Sequence, residues 1–133
     1  KRFYILDLLQ KKLLLSTYVA HGRGSGDNYA VAFSNRPGSY QSSLGFFRTG
    51  DTYMGKNGYS LFLDGLEKGI NDKARERAIV VHGANYADPA VLKGQQRLGR
   101  SLGCPALPPD ISKQVIDTIK GGVLLYIYGL NKA

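Results

Sequence analysis

Seventeen glycines are spread through this 133-residue chain, and they divide it into pieces too short for a helical bundle. Glycine takes positive φ at little steric cost, so it gathers at turns and helix ends. Nine tyrosines lie among them, a composition that favours short strands with half-buried aromatic positions. The expected fold class is mainly β with one or two short helices. The length suits one domain over residues 1–133, burying about two thirds of its unfolded surface.

Period-two patterning predicts strands over 2–7 and 12–20, joined by a polar turn at Leu9-Gln10-Lys11. A loop with three glycines follows, His21 to Asn28. It lacks the Gly-Lys-Ser/Thr ending of a nucleotide-binding loop, so a turn beside a site is the better reading. A short extended piece is expected over 30–33, then strands over 45–48 and 59–63. Asn71-Asp72 predicts a cap for one or two helical turns reaching Arg77. Ala78 to Val81 reads as a buried strand with His82 at its end, and 85–100 as a loop flanking it. The best helix spans 110–120: Asp110 as N-cap, Ile111, Val115, Ile116 and Ile119 on one face, Gly121-Gly122 as the stop. A last strand is expected over 123–128.

The net charge is +8, which attracts polyanions. The basic residues are scattered, with no polybasic block and no nucleic-acid motif, so a solvated basic surface is favoured over nucleic-acid binding. No apolar run reaches transmembrane length. No signal peptide is visible, and a natural N-terminus upstream of Lys1 is expected.

Cys104 is the single cysteine, 22 positions after His82. A lone cysteine is usually an inert small hydrophobe. Here Gly99, Gly103 and Pro105 suit a tight turn presenting the thiol, a setting that a core cysteine does not need. If the two side chains meet, imidazole can take the thiol proton and supply thiolate. Arg100 would add positive field. A helix opening at Pro105 would do the same. The amides of Gly103 and Cys104 are candidates for an oxyanion hole, and the Gly83 carbonyl for the group that orients His82. The chemistry implied is acyl transfer through a thioester. With no Cys-x-x-Cys or His-x-x-x-His pair, a structural zinc site is not expected.

Val81-His82-Gly83 followed by Ser101-Leu102-Gly103-Cys104 resembles the murein L,D-transpeptidase catalytic domain family, the YkuD-like group. Ala20 to Gly26, Phe33-Ser34-Asn35, Ser42 to Gly45 and Leu63 to Leu66 extend the likeness to nearly the whole chain, from Arg2 to Tyr128. The resemblance implies a compact β-sandwich or mixed-sheet catalytic domain in the bacterial cell envelope, periplasmic or secreted. It implies Cys104 as nucleophile, His82 as general base, Gly83 as orienter and Gly103 with Cys104 as oxyanion donors. It also implies peptidoglycan stem peptides as substrate, D-Ala as leaving group, carbapenem β-lactams as inhibitors acylating Cys104, and no need for a metal or organic cofactor.

Two departures stand out. The family's His before Gly-Cys is Leu102 here, and the spacer between His82 and Ser101 is 18 residues, slightly long. His21 and Arg100 are the candidates to fill the missing histidine's place. Arg100 is a candidate partner for a stem carboxylate, Ser101 for a loop or substrate hydrogen bond, and Ser43 and Tyr86 for groove lining. An L,D-carboxypeptidase or hydrolase with the same thiol chemistry, and a non-catalytic cationic wall-binding module, are the other readings.

Overall fold

The computed structural model describes residues 1–130, so the last three residues of the expected domain, 131–133, lie outside the described residues. The architecture is mainly β with one α-helix. Strands β1 (Phe3–Asp7) and β2 (Lys12–Thr17) form an antiparallel hairpin. Strands β3 (Gly45–Gly55), β4 (Gly58–Gly65), β5 (Val80–Gly83), β6 (Ala106–Leu107) and β7 (Leu124–Ile127) form a second sheet in the order β6-β5-β4-β3-β7. All its neighbours are antiparallel except β5 and β6.

Helix α1 (Pro109–Ile119) covers this sheet. Its apolar stripe buries Val115, Ile116 and Ile119 in a cluster with Phe47, Leu61, Leu63, Val81 and Leu107. Side chains of this size contribute about 1.5–3 kcal/mol each when fully buried. The helix therefore anchors β5 from behind and fixes the position of His82 near its C-terminal end. Phe3 and Ile5 of β1 join the same cluster, while Tyr4 and Leu6 point outward, as period-two alternation requires. Buried Thr49 ties helix to sheet: its Oγ1 donates to Ile119 O at 2.6 Å and accepts from Gly122 and Val123 N–H.

Several local expectations give way to tertiary demands. Helix α1 begins at Pro109, with Pro108 at the cap position; Asp110 sits inside the first turn and caps nothing. Proline at the first helical position loses no hydrogen bond. Residues 71–77 form turns, not a helix, because Asn71 is drawn inward. It is fully buried, donating to Leu44 O and Phe46 O at 2.9 Å each and accepting from Glu67 N–H. Residues 30–33 form no strand; Val31 and Ala32 N–H both go to Ser25 O. Strand β2 stops at Thr17, short of 20, while β3 runs beyond 48 to Gly55 through a register shift between Thr49 and Thr52. A bulge there lets one strand turn and continue. Ala78 lies at φ 56°, outside the extended region, so β5 begins at Val80.

Candidate active site

The parallel pairing of β5 with β6 sets His82 opposite Ala106, two residues beyond Cys104. His82 N–H donates to Pro105 O at 3.4 Å. Topology thus brings the two ends of the expected pair to one sheet edge. The His82 ring is 4% exposed. Its Nδ1 lies 2.9 Å from Gly83 O; a carbonyl only accepts, so Nδ1 carries the proton and Nε2 the lone pair. Nε2 has no hydrogen-bond partner, yet no buried side-chain nitrogen or oxygen is left unsatisfied among the described residues. The small exposed part of the ring therefore includes Nε2.

Cys104 is half-buried. Its Sγ lies 3.5 Å from Ala78 O, to which it donates, and accepts from Val80 N–H at 3.4 Å. The sulfur therefore rests against the start of the strand that carries His82 two residues further on. No hydrogen bond joins thiol and imidazole. Burial pushes the thiol up from its ordinary value; the Val80 amide, Arg77 and Lys56 oppose that, in this order. Burial is the largest of these effects, and it disfavours the charged form of the sulfur.

The loop around the thiol is built from polar contacts. Ser101, 3% exposed, donates from Oγ to Cys104 O at 2.6 Å and accepts from Gly103 N–H at 3.1 Å. Ser101 is a loop brace, with no face for substrate. The same contact removes Gly103 N–H from oxyanion duty in this state, whereas Cys104 N–H makes no hydrogen bond among the described residues. Gly103 holds φ +127°, and a Cβ there would meet Ile79 Cδ1 at 3.0 Å and Gln41 O at 3.1 Å. Glycine is required at that point. Pro105 does not open a helix; the two-residue strand β6 follows it.

Arg100 lies elsewhere than expected, whereas His21 lines the cavity that reaches Gly103 and Pro105. Arg100 pairs with Asp27 at 2.8 Å and reaches Gly26 O, so its charge braces the glycine loop and adds nothing at the thiol. His21 Nε2 lies 3.0 Å from the same Gly26 O, and its Nδ1 faces the Arg2 guanidinium at 3.2 Å. Burial, aided by Arg2, holds His21 below the ordinary histidine value. Neither residue fills the place of the missing histidine. Leu102, which stands there, is 56% exposed.

Ser43 is buried and lines no groove; it donates to Ser34 O and accepts from Arg77. Tyr86 packs against Gly99, just before the thiol loop. Its phenol is pushed up to about 12, first by burial and then by the charge that forms on Cys104.

Arg77 supplies the cation that sequence reasoning assigned to Arg100. Its guanidinium donates to Ser34 O, Ser43 Oγ, Ser39 Oγ and Gln41 O at 2.7–3.1 Å, clasping 34–43 to the thiol loop. Its Nη2 is 3.4 Å from the point where a Gly103 Cβ would sit. The available signal was three residues of spacing from Val80; only the chain reversal at Ala78 turns that spacing toward sulfur.

One cavity borders the thiol loop, and a second opens past the end of β5. The first, about 450 Å³, lies between β1 and β7 and reaches Gly103 and Pro105. The other, about 310 Å³, lies beyond His82 between the β3–β4 turn, Gly83 to Asn85 and the first turn of α1. No cluster of three or more His, Cys, Asp or Glu able to hold a metal occurs among the described residues. No helix there is long and apolar enough to cross a membrane.

Against known proteins, a family model described as an L,D-transpeptidase catalytic domain matches residues 1–128. A search of curated proteins found no match.

Proposed function

We propose that this chain, which belongs to the L,D-transpeptidase catalytic domain family, crosslinks peptidoglycan stem peptides in the cell envelope through a Cys104 thioester. The supporting observation is that the family match spans both His82 and Cys104, with imidazole Nδ1 held by Gly83 O.

Sγ leaves Ala78 O and attacks the carbonyl on the L-side of the stem's third residue. His82 Nε2 takes the thiol proton as the S–C bond forms. Cys104 N–H is the amide available to the developing oxyanion. Collapse expels the D-Ala amine, which carries away the proton from His82. The amine of a second stem attacks the thioester; His82 accepts its proton and returns it to sulfur. Arg77 and Lys56 stabilise the transient thiolate by charge. A carbapenem would open on the same sulfur to a stable thioester.

The test is incubation with disaccharide-tetrapeptide, followed by chromatography and mass spectrometry beside Cys104→Ala. Crosslinked dimer with loss of D-Ala, absent in the variant, is the expected result. Tripeptide without dimer would make the protein an L,D-carboxypeptidase. Wall binding without turnover in either sample would make it a binding module.

A further inference from the structure

The cavity beyond His82 holds polar groups that, Lys56 apart, the acyl-transfer reading does not use. Its wall includes Lys56 and Asn57 from the β3–β4 turn, Asn85 just after β5, and Ser112 from α1. The Lys56 ammonium has no ion-pair partner among the described residues. The Asn57 and Asn85 side-chain amides make no hydrogen bond there, and both residues are exposed. Ser112 Oγ reaches only Pro109 O, at 3.3 Å. Asp117, bonded to the lining Tyr59, has its oxygens taken by Tyr59 and Lys113, and no carboxylate pairs with Lys56 among the described residues. The cavity therefore offers one free cation, two free amides and a hydroxyl beside Gly83, a set that suits a carboxylate attached to a peptide. Lys56 is also close enough to the thiol to lower its proton affinity.

We propose that this cavity is a carboxylate subsite, in which Lys56 pairs with a carboxylate of the stem peptide while Asn57 and Asn85 hold the neighbouring amides. The inference rests on the stem-peptide reading above and deepens it. Two carboxylates of the stem can supply the group: the C-terminal D-Ala and the side-chain carboxylate of the third residue.

Binding by calorimetry to Cys104→Ala separates this from turnover. The ligands are the disaccharide-tetrapeptide, its C-terminal amide and its third-residue carboxamide. Amidation at one of the two places weakens binding about tenfold, the scale of one charge-assisted contact. Which amidation does so identifies the carboxylate. In Cys104→Ala/Lys56→Gln the acid and that amide bind alike. A preference that survives Lys56→Gln, equal binding of all three ligands by Cys104→Ala, or no binding of the acid overturns the subsite. Wild-type turnover of the same acid reports separately: turnover without a Lys56-dependent preference sinks the subsite alone. A Lys56-dependent preference without turnover sinks the acyl-transfer reading alone.

Discussion

On one side of Cys104 the chain from Ala20 to Arg23 is stitched to the thiol loop by backbone bonds. Ala20 N–H goes to Ala106 O, Ser101 N–H to His21 O and Arg23 N–H to Ser101 O, at 2.8–2.9 Å, and Gly22 N–H to Ser42 Oγ. On the other side, the turn joining β3 and β4 carries Lys56 and Asn57 into open space. The first flank fixes where sulfur sits through its backbone bonds. The second is an exposed turn and carries the groups of the proposed subsite. Rigidity is thus built into one loop, and the proposed subsite draws on another.

Alanine at a glycine of each flank is the harshest comparison. A Cβ on Gly22 would lie 2.4 Å from Tyr40 O and 2.9 Å from Gly103 Cα, both backbone, so the loop must open. Gly22→Ala should cost about 3 kcal/mol by urea unfolding, with loss of turnover. Gly58 holds φ +81° with nothing within 4 Å of its Cβ position, so Gly58→Ala should cost only about 1 kcal/mol from backbone strain. Equal losses would mean that the two flanks are equally constrained.

Arg77→Gln comes next. Ser34 O, Ser43 Oγ and Gln41 O lose a charged donor in a partly buried setting, which costs about 2 kcal/mol. Arg77 lowers the proton affinity of Cys104, so its removal raises it. Iodoacetamide alkylation of the thiol should keep its shape against pH with the midpoint moved to higher pH. Loss of stability with an unmoved midpoint would make Arg77 a clasp only.

The contrast between the flanks was half legible in the sequence. The strands 2–7 and 59–63 and the helix near 110–120 come from alternation and an apolar stripe, which local chemistry writes plainly. His82 and Cys104 are picked out by rarity and setting. Arg77 is not, because its partners at Ser34, Ser39, Gln41 and Ser43 lie 34–43 residues away, and no local pattern encodes a closure of that length. Arg100 looked better placed because it is near Cys104 in sequence. The buried role of Asn71 was hidden for the same reason: its N-cap signature is local, and its partners Leu44 O and Phe46 O lie 27 and 25 residues away.

Arg100→Ala therefore tests the assignment from the other side, with a smaller effect. Its pair with Asp27 is largely solvated, Asp27 being 80% exposed, so the loss should be about 0.5 kcal/mol. The alkylation midpoint should not move. A shift as large as that of Arg77→Gln would return Arg100 to the thiol's field and erase the division between the flanks.

The smallest effect concerns the charge balance behind the open flank. Lys113 first, then the Tyr59 hydroxyl, hold the Asp117 carboxyl at about 2. A carboxyl depressed on folding contributes stability that is complete above its unfolded value of about 4 and is lost as pH falls through the folded one. The wild-type melting temperature should fall between about pH 5 and pH 2 slightly more than that of Asp117→Asn, the two curves meeting at the acid end. Parallel curves would mean that the pairing is not maintained in solution. Asp117 would then be free to draw Lys56 or Lys113 toward itself, and the cavity beside His82 would lose the net positive charge on which carboxylate binding depends.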